Sequence, residues 1–116
     1  MDNRKKQIII ESLREGLDFG EVPGATRTDI DDVLFKEMEV EDSKSLIDSW
    51  YIAFSSRMRQ DLRLAEKPHE VAAIKASIDS AETAAKMYGD KLNQSSKKKA
   101  SGSVTMSFIK TVRNEQ

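Results

Sequence analysis

The stretch Val71-Ala-Ala-Ile-Lys-Ala-Ser-Ile-Asp-Ser-Ala-Glu-Thr-Ala-Ala-Lys-Met-Tyr-Gly-Asp-Lys-Leu92 decides the fold. Its apolar positions Val71, Ile74, Ile78, Ala81, Ala85, Tyr88 and Leu92 alternate in steps of three and four, the a/d seam of an α-helix. Pro68 sits just before it, where a fixed φ suits a first helical turn and a missing N–H costs nothing. Ala81, Ala84 and Ala85 keep the middle of the helix narrow, so a second helix can approach closely. A single apolar stripe has to be buried against a partner.

The preceding residues supply one. Asp42-Ser43 reads as the cap of a long helix reaching about Glu66, with Leu46, Trp50, Phe54, Met58, Leu62 and Ala65 on one face, widened by Ile47 and Tyr51. Only Lys67-Pro68 separates the two helices, so they pack as antiparallel neighbours. At about 1.5 Å per residue the hairpin is roughly 35 Å long. A small front region is too short to cover it, which predicts that hairpins from several copies pack together through Trp50, Phe54, Val71, Ile74, Ile78, Ala81, Ala85, Tyr88 and Leu92. Trp50, Tyr51 and Phe54 share one side at helical spacing, the pattern of a core, although such a cluster also stacks nucleobases. Arg57, Arg59 and Arg63 form a basic patch whose ordinary reading is a solvated face.

Upstream, Asn3 to about Leu17 reads as a helix with Ile9, Ile10, Leu13 and Leu17 on one face, ended by Gly16 or Gly20. Residues 18–25 form a loop punctuated by Gly20, Pro23 and Gly24. Thr28-Asp-Ile-Asp31 has the form of a capping box opening a short helix to about Glu39, with Ile30, Val33, Leu34 and Met38 buried. Helix, glycine-containing turn and short helix match a helix-turn-helix, and equally an ordinary small helical subdomain. Three aspartates at the start of the second helix, Asp29, Asp31 and Asp32, would repel phosphates.

Downstream, Asn93 to Gly102 reads as a polar, flexible, basic linker. After it the period changes to two, with Val104, Met106, Phe108 and Val112 alternating with Thr105, Ser107, Ile109 and Thr111. That is a β-strand, and a lone strand calls for pairing with strands of neighbouring copies or with a partner's sheet edge. A tail that alternates by chance gives the same letters. The expected fold is thus mainly α, with a helical front over residues 1–41, a hairpin core over 42–93, a linker over 94–102 and a strand over 103–116.

The 116 residues make one small domain, or a small domain with arms. Cysteine is absent, which excludes disulfides and thiolate metal sites. The longest apolar run, Ile8-Ile9-Ile10, is far too short to cross a bilayer, and the N-terminus lacks the apolar stretch of a signal peptide, so a cytoplasmic protein is expected. A net charge of −1 hides segregation. Residues 18–42 hold nine acids against Arg27 and Lys36, whereas Lys97, Lys98, Lys99, Lys110 and Arg113 near the C-terminus face only Glu115. The sole histidine, His69, has no companions for a metal site, and no phosphate-binding loop or nucleophile elbow occurs. No catalytic group and no cofactor is expected.

The order of parts resembles the small terminase subunits of tailed bacteriophages: Ile8–Met38 as front domain, Ser43–Leu92 as hairpin and Val104–Val112 as strand, with Lys86-Met-Tyr-Gly-Asp-Lys-Leu92 at the hairpin-to-barrel junction. The resemblance implies a non-enzymatic ring in the host cytoplasm. It would recognise double-stranded viral DNA through a helix-turn-helix domain, regulate the large terminase motor and nuclease, and join C-terminal strands, here including Val104, Met106 and Phe108, in an intersubunit barrel. The acidic second helix departs from the basic recognition surface that this picture requires. DNA contacts are therefore expected from Arg4, Lys5, Lys6, Arg14 and Arg27, with Lys97, Lys98 and Lys99 assisting. The competing expectation is an oligomeric hairpin adaptor that binds a protein through its acidic front.

Overall fold

The computed structural model describes residues 1–104, which are mainly helical and contain no strand. Helix α1 spans Asn3–Arg14 and is capped by the Asp2 carboxylate, which accepts the Arg4 N–H at 3.3 Å. It ends three residues short of Leu17 because Gly16 turns left-handed at φ 78°. The Gly16 N–H then donates to the Leu13 carbonyl at 3.0 Å and the Leu17 N–H to the Ser12 carbonyl at 3.1 Å, the two bonds of a Schellman cap. A 3₁₀ turn, Phe19–Glu21, follows; Asp18 and Glu21 cap it reciprocally.

Helix α2 covers Arg27–Asp32. Its cap is Thr26 with Asp29, not Thr28 with Asp31: the Asp29 N–H donates to the Thr26 hydroxyl and the Thr26 N–H to the Asp29 carboxylate. Both threonines have an aspartate three residues on, and the earlier box leaves Asp31 to serve another contact described below. The chain then widens into a π turn, Val33–Glu37. Ile30, Val33 and Leu34 are fully buried there, while Phe35 and Met38 pack on the core from its edge.

Helix α3 spans Val40–Leu64, starting before the expected Asp42-Ser43 cap, with Glu39 at its N-cap and no capping side chain. Ser43 is buried instead, and its hydroxyl donates to the Leu34 carbonyl at 2.7 Å, satisfying an acceptor of the π turn. Residues 65–67 reverse the chain into α4, Pro68–Val104. The Glu70 carboxylate accepts the Glu66 and Lys67 N–H groups, both at 3.3 Å, and so caps the reversal.

The predicted hairpin is present, and α3 against α4 is the principal packing of the fold. Ala81, Tyr88 and Leu92 of the α4 seam are buried; Val71, Ile74, Ile78 and Ala85 are half-buried. Trp50 and Phe54 belong to the same core. Helix α4 does not stop at Leu92 but runs through the stretch expected to be a linker, 94–102. The reason is local: no proline and no glycine occurs between Gly89 and Gly102, and Gln, Lys and Ala are good helix formers. The expected strand, apart from Val104 at the end of α4, lies outside the described residues, as do Met106 and Phe108.

The front body docks on the hairpin through backbone as well as side chains. A Cβ on Gly16 would lie 2.6 Å from the Phe54 nitrogen and 2.7 Å from the Ala53 carbonyl carbon, so α1's terminus and α3 are in direct backbone contact. The carbonyls exposed by this turn are taken up by α3: Trp50 Nε1 donates to the Leu17 oxygen at 2.8 Å and the Arg57 guanidinium to the Gly16 oxygen at 2.9 Å.

Candidate nucleic-acid interface

The basic residues expected to contact DNA divide into two groups. Lys5 pairs with Asp29 at 2.8 Å. With the Thr26 N–H, that lysine holds the Asp29 carboxyl down at about 2. Lys6 donates to the Glu37 carbonyl at 2.9 Å, tying α1 to the π turn. Arg27 is built into the junction between front body and hairpin. Its Nε donates to the Tyr88 hydroxyl at 2.7 Å, and its guanidinium lies 4.9 Å above the Phe19 ring. Arg4 and Arg14, in contrast, are exposed, and no side-chain hydrogen bond or ion pair involves either among the described residues. Lys97, Lys98 and Lys99 lie on the last turns of α4. Arg4 and Arg14 therefore face solvent, whereas Lys5, Lys6 and Arg27 already have partners.

Periodicity pointed to Tyr88 as an apolar seam position; its hydroxyl has a further role. It accepts from Arg27 and donates to Asp31, joining α4 to α2 across a separation of 57 residues. The ring stacks on Phe35 at 5.6 Å and meets Phe19 edge-on at 5.6 Å. Burial, reinforced by Asp31, pushes the phenol up to about 12. Phe19 in turn lies 4.8 Å from Trp50, and Trp50 5.6 Å from Phe54, so Phe35, Tyr88, Phe19, Trp50 and Phe54 form one connected aromatic cluster. A charge pattern alone could not have found this network, because Arg27 and Asp31 look like any i,i+4 surface pair; they are 3.8 Å apart here.

The acidic front is similarly occupied. Asp18 and Glu21 cap one turn, Asp29 caps α2, Asp31 holds Tyr88, Asp32 pairs with Lys36 at 3.4 Å, and Glu41 pairs with Lys44 at 3.3 Å. Three carboxylates of this stretch, Glu37, Glu39 and Asp42, make neither a capping hydrogen bond nor an ion pair among the described residues. Residues 15–26 separate α1 from α2, with the 3₁₀ turn between them, in place of the roughly three- to four-residue turn of a helix-turn-helix.

The residues expected between copies, Trp50, Phe54, Ala81, Tyr88 and Leu92, are buried within one chain. The core of a single chain already covers them. Large apolar side chains left exposed among the described residues are Met1, Ile52, Leu64 and Met87. A cleft of about 240 Å³ between the 3₁₀ turn and α4 is lined by Asp18, Phe19, Arg27, Phe54, Ser77 and Ala84 among others. Among the described residues no cluster of three histidine, cysteine or carboxylate side chains is placed to hold a metal ion, and His69 is exposed. No described helix is long and apolar enough to cross a membrane.

The chain matches no known family model, no curated protein and no solved structure.

Proposed function

We propose that this chain is a non-enzymatic, ring-forming subunit of the small-terminase kind, which binds double-stranded viral DNA at repeated weak sites and regulates a large packaging motor. The observation that carries the reading is the order of parts: a small helical body seated on one end of a long antiparallel hairpin, with α4 continuing past it as a basic helix. DNA contact is assigned to Arg4 and Arg14, the front-edge cations without internal partners. One such pair is weak, and a ring multiplies it into a useful affinity. The engagement of most acids of residues 18–42 in caps and pairs favours this reading over an acidic adaptor, since those groups serve the fold.

Retention of a double-stranded fragment tests the assignment by fluorescence anisotropy. Wild type is expected to bind at 50 mM salt and to lose affinity steeply by 200 mM, as counterion release requires. Arg4→Ala/Arg14→Ala is expected to weaken binding and flatten the salt slope. Undetectable binding at low salt, or a double variant that binds like wild type, would overturn it.

A further inference from the structure

At the end of the hairpin where α3 begins, Ile10, Phe35, Met38 and Val40 line an open groove of about 650 Å³. Its rim carries Lys6, Lys36, Glu37, Glu39 and Asp42. Both lysines are engaged, Lys6 on the Glu37 carbonyl and Lys36 on Asp32. The three carboxylates of the rim are not. The groove therefore has an apolar floor and a net negative edge, and no described side chain of α4 lines it.

Helix α4 leaves the hairpin at this same end. Because α3 and α4 are antiparallel about residues 65–67, equal rise sets Val40 level with about Leu92. The remainder of α4, Asn93–Val104, runs on for about 18 Å with no length of α3 beside it. A polar helix of that length is marginal by itself in water. It carries Lys97, Lys98 and Lys99, and Met106 and Phe108 follow Val104 in the sequence.

We propose that the groove of one copy receives the carboxyl-terminal stretch of a second copy, Lys97 to Phe108. The charge of Lys97–Lys99 complements Glu37, Glu39 and Asp42, and the apolar letters that follow complement a floor of Phe35 and Met38. Two features of the chain select this occupant: its charge complements the rim, and its helix continues along the hairpin axis past its own groove. The contact joins two different surfaces, so it repeats head to tail, and a head-to-tail contact closes into a ring when its rotation allows. This deepens the assembly reading above and rests on it. It also assigns Lys97–Lys99 to the contact between copies, leaving DNA to the front edge.

A charge swap on the full chain, read by native mass spectrometry over a concentration series, tests the proposal. One variant carries Glu37→Lys, Glu39→Lys and Asp42→Lys; the other carries Lys97→Glu, Lys98→Glu and Lys99→Glu. Each alone is expected to raise the half-assembly concentration by about tenfold or more, given that three exposed pairs become repulsive. An equimolar mixture should recover mixed assemblies. The second variant lies beyond the core, so helicity measured by circular dichroism should stay at wild-type level even if the first is destabilised at α3's start. Assembly of the lysine variant at wild-type concentrations would overturn the proposal while leaving the assembly reading intact. A wild type that is monomeric at every concentration would overturn the assembly reading and the proposal with it.

Discussion

Replacing Gly16 by alanine tests the docking of the front body in a quantity that can be worked out beforehand. Gly16 has φ 78°, and a side chain held in the left-handed region costs about 1–2 kcal/mol. The added Cβ also meets the Phe54 nitrogen at 2.6 Å and Ala53 atoms at 2.7 Å. Two of these three are backbone of α3, which no side-chain rotation can move aside, and forced overpacking costs about 1–3 kcal/mol. The expected loss is about 2–5 kcal/mol. With an unfolding entropy near 2.1 cal/mol/K per residue, each kcal/mol is worth about 4 °C in a chain of this size, so Tm should fall by about 8–20 °C. Gly24→Ala is the matched control. Gly24 is also left-handed, at φ 66°, but nothing lies within 4 Å of its added Cβ, so backbone strain of about 1–2 kcal/mol is the whole expected effect. Thermal unfolding followed by circular dichroism gives both numbers. The emission of Trp50, the chain's only tryptophan, reports on the same junction because its indole N–H is bonded to the Leu17 carbonyl. Equal losses for the two variants, or an unshifted emission in Gly16→Ala, would refute the claim that this turn is in backbone contact with α3.

Other expectations follow from single contacts. Tyr88→Phe removes one donor and one acceptor from the link between α4 and α2, and should cost about 1–2 kcal/mol in denaturant titration with the helical content preserved. The same phenol, raised from 10.0 to about 12, adds stability that is fully present below pH 10 and is lost as pH rises through 12. Ultraviolet titration should accordingly show a tyrosine ionising late, and this step should vanish in Tyr88→Phe. Ser55 is buried with no hydrogen-bond partner for its hydroxyl, so Ser55→Ala should leave stability unchanged or raise it by about 1 kcal/mol. Gly89 lies inside α4 with open space where a Cβ would go; Gly89→Ala should stabilise by about 0.5–1 kcal/mol, measured by the same titration.

The hairpin was legible in the sequence because burial against one neighbour leaves a periodic trace. Ala81, Tyr88 and Leu92 of the seam, and Leu46, Trp50 and Phe54 of the facing helix, are buried, and α3 and α4 pack on each other. Helix ends were less legible. Thr26 and Thr28 carry the same capping signal, and only the tertiary fit, which puts Asp29 beside Lys5 and Asp31 beneath Tyr88, distinguishes them. Ser43 resembled a cap in sequence and proved to be a buried donor to the π turn, whose extra width no residue type announces. The polar composition after Leu92 suggested a linker, yet a helix needs only an unbroken run of tolerant residues to continue. The candidate DNA site was legible as charge and not as availability. Whether a lysine faces solvent or a carbonyl 31 residues away, as Lys6 does, is set by packing that composition does not encode.

The link between Tyr88 and α2 also bears on the order in which this chain can fold as it is made. The hairpin is built from neighbours in sequence, and contacts of that kind close quickly. The front body is synthesised first, but Asp31 and Arg27 have no phenol to meet, and Phe35 no ring to stack on, until residue 88 has been added. Domains commonly complete themselves from the N-terminus during synthesis. Here the first third of the chain must wait for the last turns of the hairpin, so the surface that presents Arg4 and Arg14 becomes fixed only when the hairpin beneath it is nearly finished.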